Sequence, residues 1–214
     1  ILEKDRIVER WRTSRWDSLV ANGPAWHDRF PTLKFAELNQ DSFASKDRVV
    51  KYFEEFAKKI NAPVIENINV LQVDKYSENN FFIKTSAGEF EAKNVICATG
   101  AFQVPVIPSI IPEDSNILQM HSQFYKNPEQ LKKGAVLVVG SGSSGSQIAE
   151  ELNRVNKEVY FSIGPHDRPP RRYRGKDNVW WLGVLGKWEA KTPKPGTQHV
   201  TCLLYTSPSP RDAT

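Results

Sequence analysis

The spacing of apolar positions changes repeatedly along this chain, and each period predicts a different element. Val49, Phe53, Phe56 and Ile60 recur at three- and four-residue steps, which predicts a helix over 45–60 with Ser45 as its cap. Shorter runs of strand character follow at 67–74, 81–85 and 89–92. Asn79-Asn80 and Ala87-Gly88 supply turns between them, so a three-stranded meander is expected. "VICATG", residues 95–100, reads as a short buried strand that reaches a glycine. The run 135–139, "AVLVV", is wholly apolar, as suits a strand buried on both faces of a parallel sheet. Beyond it Ile148, Leu152 and Val155 return to helical spacing, with Glu150, Glu151 and Arg154 on another face. Ahead of all these, "ILEKDRI" has the character of a strand end. Residues 9–31 form a polar loop too rich in tryptophan for a plain linker.

Chemistry enters between the strand at 135–139 and the helix expected from about 144 to 153. Gly140-Ser141-Gly142-Ser143-Ser144-Gly145 is a Gly-x-Gly-x-x-Gly run in the strand–turn–helix context that a dinucleotide site requires. Such a turn lets a pyrophosphate approach the backbone at the positive end of the helix dipole. A glycine-rich turn without a ligand is the plainer alternative. An NAD site commonly carries an acid at the end of its second strand. Here that strand is "EVYFSI", 158–163, and its one acid, Glu158, lies at the start. The tip is Ser162, followed by His166, Arg168, Arg171, Arg172 and Arg174. Guanidinium groups in place of a carboxylate suit a 2′-phosphate, so NADPH is expected over NADH. Ser162 with one or more of Arg168, Arg171 and Arg172 would read it.

Composition narrows the classes. The 214 residues can hold one domain or two small ones, and 39% hydrophobic residues with six tryptophans can bury a core. No apolar run approaches the roughly 18 residues of a membrane span, and no secretory signal is recognisable. Cys97 and Cys202, the two cysteines, form neither a Cys-x-x-Cys pair nor a metal or disulfide spacing. That argues against a dithiol reductase and for a reduced, cytoplasmic setting. Much of the net charge of +4 sits in "DRPPRRYRGK", 167–176. Arginines mixed with aromatics can bind single-stranded nucleic acid. Here no binding fold accompanies them, and Trp180, Trp181, Leu182, Val184, Leu185 and Trp188 read as core packing, so nucleic acid is set aside. The last residues, "CLLYTSPSPRDAT", lack any period and resemble translated adapter sequence, which makes 201–214 an expected non-native tail.

These ordered motifs resemble the flavin-containing monooxygenases over about residues 1–198, especially a bacterial branch described as flavoproteins or potassium-transport-associated oxidoreductases. The resemblance implies an α/β fold with two Rossmann-like dinucleotide-binding domains, for FAD and NADPH, and a β-meander. It implies that 1–107 are part of the FAD domain without its own glycine motif, and 108–200 part of the NADPH domain. The chain would thus be a fragment truncated at both ends. Glu3 matches the acid that binds the FAD ribose, although alone it reads as a solvated strand-end carboxylate. Trp11 matches a tryptophan near the flavin, or else a core residue. The double glycine that the family sets before it is Val8-Glu9 here. "NGPAWHDRFP" matches the stretch whose asparagine lies beside flavin and nicotinamide, which makes Asn22 the candidate for holding the oxygenated flavin. Taken alone, Asn22 is a turn residue before Gly-Pro. Val70 matches a strand residue whose backbone meets the adenine, with core packing as the alternative. Thr99 and Gly100 match the Ala-Thr-Gly strand end that borders the FAD. "HSQFY", 121–125, resembles a segment just ahead of the NADPH unit, where His121 would brace the linker.

The function implied is an FAD-dependent, NADPH-using monooxygenase. It would oxygenate a small soft nucleophile or carbonyl compound with dioxygen through a C4a-hydroperoxyflavin. Two alternatives stand beside it: an NAD(P)H-dependent flavin reductase or oxidase, and a nucleotide-binding module without turnover. Substrate and oligomeric state are left open.

Overall fold

The computed structural model describes residues 1–100, 102–109, 112, 116–164 and 169–188. Two apolar clusters organise them, and the tryptophan-rich loop supplies both. Ala21 and Ala25 from that loop pack with Phe35, Ala44, Val49 and Tyr52. Trp16 and Leu19 pack with Tyr125, Ile148 and Leu152, and Trp11 is partly buried against both clusters.

Helix α1 (Glu9–Thr13) is short; helix α2 (Lys46–Lys59) starts where the sequence predicts, with Ser45 as N-cap. The buried face of α2 differs from the apolar stripe, for it is made of Val49, Val50 and Tyr52, while Ile60 is 52% exposed beyond the last turn. Tyr52 wins the inside position because its hydroxyl finds partners there. It accepts from Phe30 N at 2.6 Å and donates to Leu33 O at 2.7 Å, and its ring stacks on Phe35.

The meander forms as expected. Strands β1 (Val70–Ser77), β2 (Asn80–Thr85) and β3 (Gly88–Ala92) pair antiparallel in that order. Val70 is 40% exposed, so it is not core. "VICATG" departs from expectation: 95–100 is neither a strand nor buried, and Ile96 is 90% exposed. A strand is buried inside a sheet by pairing and by layers packed on its faces, and no strand pairs with this run among the described residues. The strand-end reading of the first residues is met by a parallel bridge from Leu2 to Ile65.

Strand β4 (Val136–Val139) leads through the glycine turn into helix α3 (Ser143–Arg154) and on to β5 (Val159–Ser162), which pairs parallel with β4. This is one β–α–β unit, although β4, expected to be buried on both faces, leaves Leu137 and Val139 55% and 64% exposed. Leu152, fully buried, contributes about 1.5–3 kcal/mol to its seat. A hairpin of β6 (Arg172–Tyr173) and β7 (Lys176–Asp177) precedes helix α4 (Asn178–Val184), which buries Val179 and Leu182. Trp180, Val184, Leu185 and Trp188, expected as core, are 37–63% exposed. No helix among the described residues is long and apolar enough to cross a membrane.

Residues 121–131 weld the glycine unit to the front of the chain. Asp17 N donates to Lys126 O at 2.8 Å, and Asn127 Nδ2 donates to Asp17 Oδ2 at 2.8 Å. Tyr125 OH donates to Glu151 at 2.6 Å; burial, with that carboxylate beside it, raises the phenol above its ordinary range. His121 takes part locally, its Nδ1 accepting from Gln123 N at 3.1 Å.

Candidate functional site

The three glycines of the turn sit in three different settings. Gly140 has φ +95°, a conformation that side chains resist, and its N–H donates to Ser162 O at 3.0 Å. A Cβ at Gly145 would lie 1.9 Å from Gly140 O, so only glycine lets the helix close on the strand. At Gly142 a Cβ would meet nothing within 4 Å. The backbone there faces open space, as a site for a bulky anion needs.

Helix α3 begins at this opening. Gly142 is its N-cap, with no side-chain cap and no acid in the first turn. The positive end of the dipole therefore meets no carboxylate of its own first turn. Ser141 O accepts from Ser146 Oγ at 3.3 Å, which steadies the turn from within. Ser144 is partly buried in the first turn. Ser162 is exposed at the end of β5, beside Gly140. Glu158 stays at the start of the strand, where its carboxylate accepts from Tyr160 OH at 2.7 Å.

A family model described as pyridine nucleotide-disulphide oxidoreductase matches residues 20–177. The chain belongs to that family. An uncharacterized CzcO-like oxidoreductase of Geobacillus kaustophilus is 38% identical over 186 residues, 86% of this chain and 52% of the relative. The fold is similar to a flavin-containing monooxygenase of Stenotrophomonas maltophilia, with a TM-score of 0.70 at 22% identity over 94% of this chain and 64% of that one. It is also similar to OTEMO in complex with FAD and NADP, with a TM-score of 0.58 at 19% identity over 79% of this chain and 35% of that one. The mixed α/β, flavin-monooxygenase-like fold expected from the sequence is thus borne out. The chain spans about half the length of the curated relatives it matches.

In this chain the remaining predicted residues fall into groups. Asn22 is joined to the glycine turn, its Nδ2 donating to Ser143 Oγ at 2.8 Å. The flanks of Asn22 are fixed: Ala21, Gly23 and Pro24 are buried, and Gly23 N donates to Asp28 Oδ2 at 2.8 Å. Thr99 and Gly100 lie near the start of α1 through Gln103, which donates to Thr99 O and accepts from Arg10 at 3.5 Å. Trp11, next to Arg10, is partly buried beneath the Arg15 guanidinium. Glu3 and Val70 stand elsewhere. The Glu3 carboxylate accepts from Asp5 N at 3.2 Å, and Val70 pairs with Thr85 in the meander.

Arg171 is engaged internally. Its side chain is 7% exposed, 2.8 Å from Asp177 and over the Phe43 ring. Burial lowers its pKa, and the Asp177 charge opposes that shift. Arg172 and Arg174 are exposed, while Arg168 lies outside the described residues. A further residue, Gln147, was not foreseen. It is 4% exposed on α3, and its carboxamide bonds both backbone groups of Val20. The only sequence signal is a glutamine at the edge of the apolar stripe.

Proposed function

We propose that this oxidoreductase is an FAD-dependent monooxygenase that takes its electrons from NADPH and oxygenates a small molecule at a soft nitrogen or sulfur or at a carbonyl carbon. One observation carries the reading: the open first turn of α3 is hydrogen-bonded through Ser143 to Asn22. A dinucleotide seated on the turn would share its support with the residue assigned to the reaction centre. In this reading 1–107 belong to an FAD domain and 108–200 to an NADPH domain of a cytoplasmic enzyme.

The residues present fit NADPH well. Gly140, Ser141, Gly142, Ser143, Ser144 and Gly145 would hold its pyrophosphate against the helix N-terminus. Ser162, with Arg172 and Arg168, would read the 2′-phosphate, since Arg171 is committed to Asp177. FAD finds edge contacts here: Glu3 for the ribose, Val70 for the adenine, Thr99 and Gly100 along its border, and Trp11 near the flavin. When bound, FAD supplies the redox chemistry that side chains lack. The chain's own part is to bind, orient and exclude water. Asn22 presents an amide with a donor and an acceptor on a loop whose neighbours are buried, so it arrives oriented. The chain has one Gly-x-Gly-x-x-Gly triad, in the NADPH unit. The 214 residues alone are therefore expected to bind NADP+ without retaining FAD.

The test uses the full reading frame that encodes this chain, supplied with NADPH, dioxygen and, in turn, a tertiary amine, a thioether and a cyclic ketone. Yellow protein, oxygen uptake dependent on NADPH and an oxygenated product from one of the three are expected. Recovery of all the oxygen as peroxide with every acceptor would reduce the enzyme to an oxidase.

A further inference from the structure

Residues 19–21 are extended and are held on both edges, although a strand lies on neither. On one edge Lys46 N donates to Leu19 O at 2.8 Å and Ala21 N donates to Ala44 O at 2.8 Å. On the other, Val20 N donates to Gln147 Oε1 at 3.2 Å, and Gln147 Nε2 donates to Val20 O at 3.1 Å. A carboxamide offers an acceptor and a donor side by side, as the backbone of a neighbouring strand does. Gln147 thus stands in for that strand.

The spacing makes this more than a tie. Ser143 and Gln147 are one turn apart on the same face of α3, about 6 Å along the axis. Val20 and Asn22 are two residues apart, with Asn22 at the bend that ends the extended residues, and two extended residues span about 6.6 Å. The two repeats match, so Gln147 on Val20 brings Ser143 opposite Asn22, where the 2.8 Å hydrogen bond forms. A slip of one residue would break both contacts.

We infer that Gln147 is a positioning residue, which sets the register of 20–22 on the coenzyme helix and thereby places Asn22. The inference rests on the role given to Asn22 under the proposed function. Gln147 itself is buried and acts through Val20.

The test compares Gln147→Met and Gln147→Glu in the full-length protein with NADP+ present. Methionine keeps the length and removes both hydrogen bonds. Glutamate keeps the acceptor for Val20 N and sets a second acceptor against Val20 O. In Gln147→Met, hydrogen exchange at Val20 should be about tenfold faster, as loss of one hydrogen bond implies. The share of NADPH consumption that ends as peroxide should rise about threefold, while the NADP+ dissociation constant moves by less than about twofold. Gln147→Glu should fall between this variant and the parent. Should Gln147→Met fail to fold, the exchange and peroxide measurements on Gln147→Glu decide. Unchanged exchange at Val20 overturns the clamp. Faster exchange with an unchanged peroxide share overturns the positioning role and leaves a structural tie. Asn22→Ala separates the two readings: if it leaves the peroxide share unchanged, the role of Asn22 fails, while exchange at Val20 still reports on Gln147.

Discussion

Helices α2 and α3 both begin against residues 19–22, and both bury one apolar face, yet their first turns are finished differently. At α2, Ser45 Oγ accepts from Arg48 N at 3.4 Å, and Asp47 places a negative charge in the first turn. At α3, the cap is a glycine, no side chain closes the turn and no acid lies in it. The first helix satisfies its own start, as a structural element does. The second has neither a capping side chain nor an acid at its start, the setting in which a helix dipole favours an anion from outside. The two helices are alike in amphipathicity, so what separates scaffold from site is how the first turn is finished.

The contrast is broken most severely at Gly145. Gly145→Ala would set a methyl 1.9 Å from Gly140 O, which forces the helix off its strand. Overpacking of this kind costs about 2–3 kcal/mol in stability, measurable by urea denaturation. NADP+ binding should be lost with it. Gly142→Asp addresses the opening alone. Aspartate is a slightly better N-cap than glycine, so stability should rise by a few tenths of a kcal/mol, roughly. Its charge would meet the pyrophosphate, and coenzyme affinity should fall by about tenfold or more. Affinity and stability moving together would show that the turn is merely structural. Ser45→Ala is the converse test at α2. It should lower stability by about 1 kcal/mol and leave the NADP+ dissociation constant unchanged in a fluorescence titration.

How much of this was legible in the sequence depended on whether a feature was local. Ser45, the meander and the strand–glycine–helix unit are set by near neighbours and by period, and each formed at nearly the predicted bounds. "VICATG" misled because its burial needs strands elsewhere in a sheet, which six apolar-looking residues cannot report. Arg171 misled for a related reason. Its charge suggested a phosphate, but Asp177 and the Phe43 ring hold it inside. The contacts that define the candidate site were the least legible. Asn22 and Ser143 are 121 residues apart, and Val20 and Gln147 are 127 apart, so no periodicity links them. The resemblance pointed to Asn22; only the folded chain shows what it touches.

A third helix start offers the smallest and finest test. Helix α1 follows Val8, whose φ of +64° lies in the left-handed region. The resemblance sets two glycines at positions 8 and 9, and the chain has Val8 and Glu9 instead. Only the first of the two is strained. Glu9 is an ordinary first helical residue, with its carboxylate 2.7 Å from Arg6 Nε. Val8 bears the left-handed cost, roughly 1–2 kcal/mol for a residue with a Cβ. Val8→Gly removes that cost but frees the unfolded chain by about 0.5–1 kcal/mol and gives up some half-buried apolar surface. The net expectation is a gain of about 0.5 kcal/mol, read as a higher urea midpoint at an unchanged slope. Glu9→Gly should do the opposite, since it removes the Arg6 pair and a good helix former for a loss of about 1 kcal/mol. If both glycine variants lose stability, Val8 is not held in the left-handed turn, and α1 enters its loop by another route.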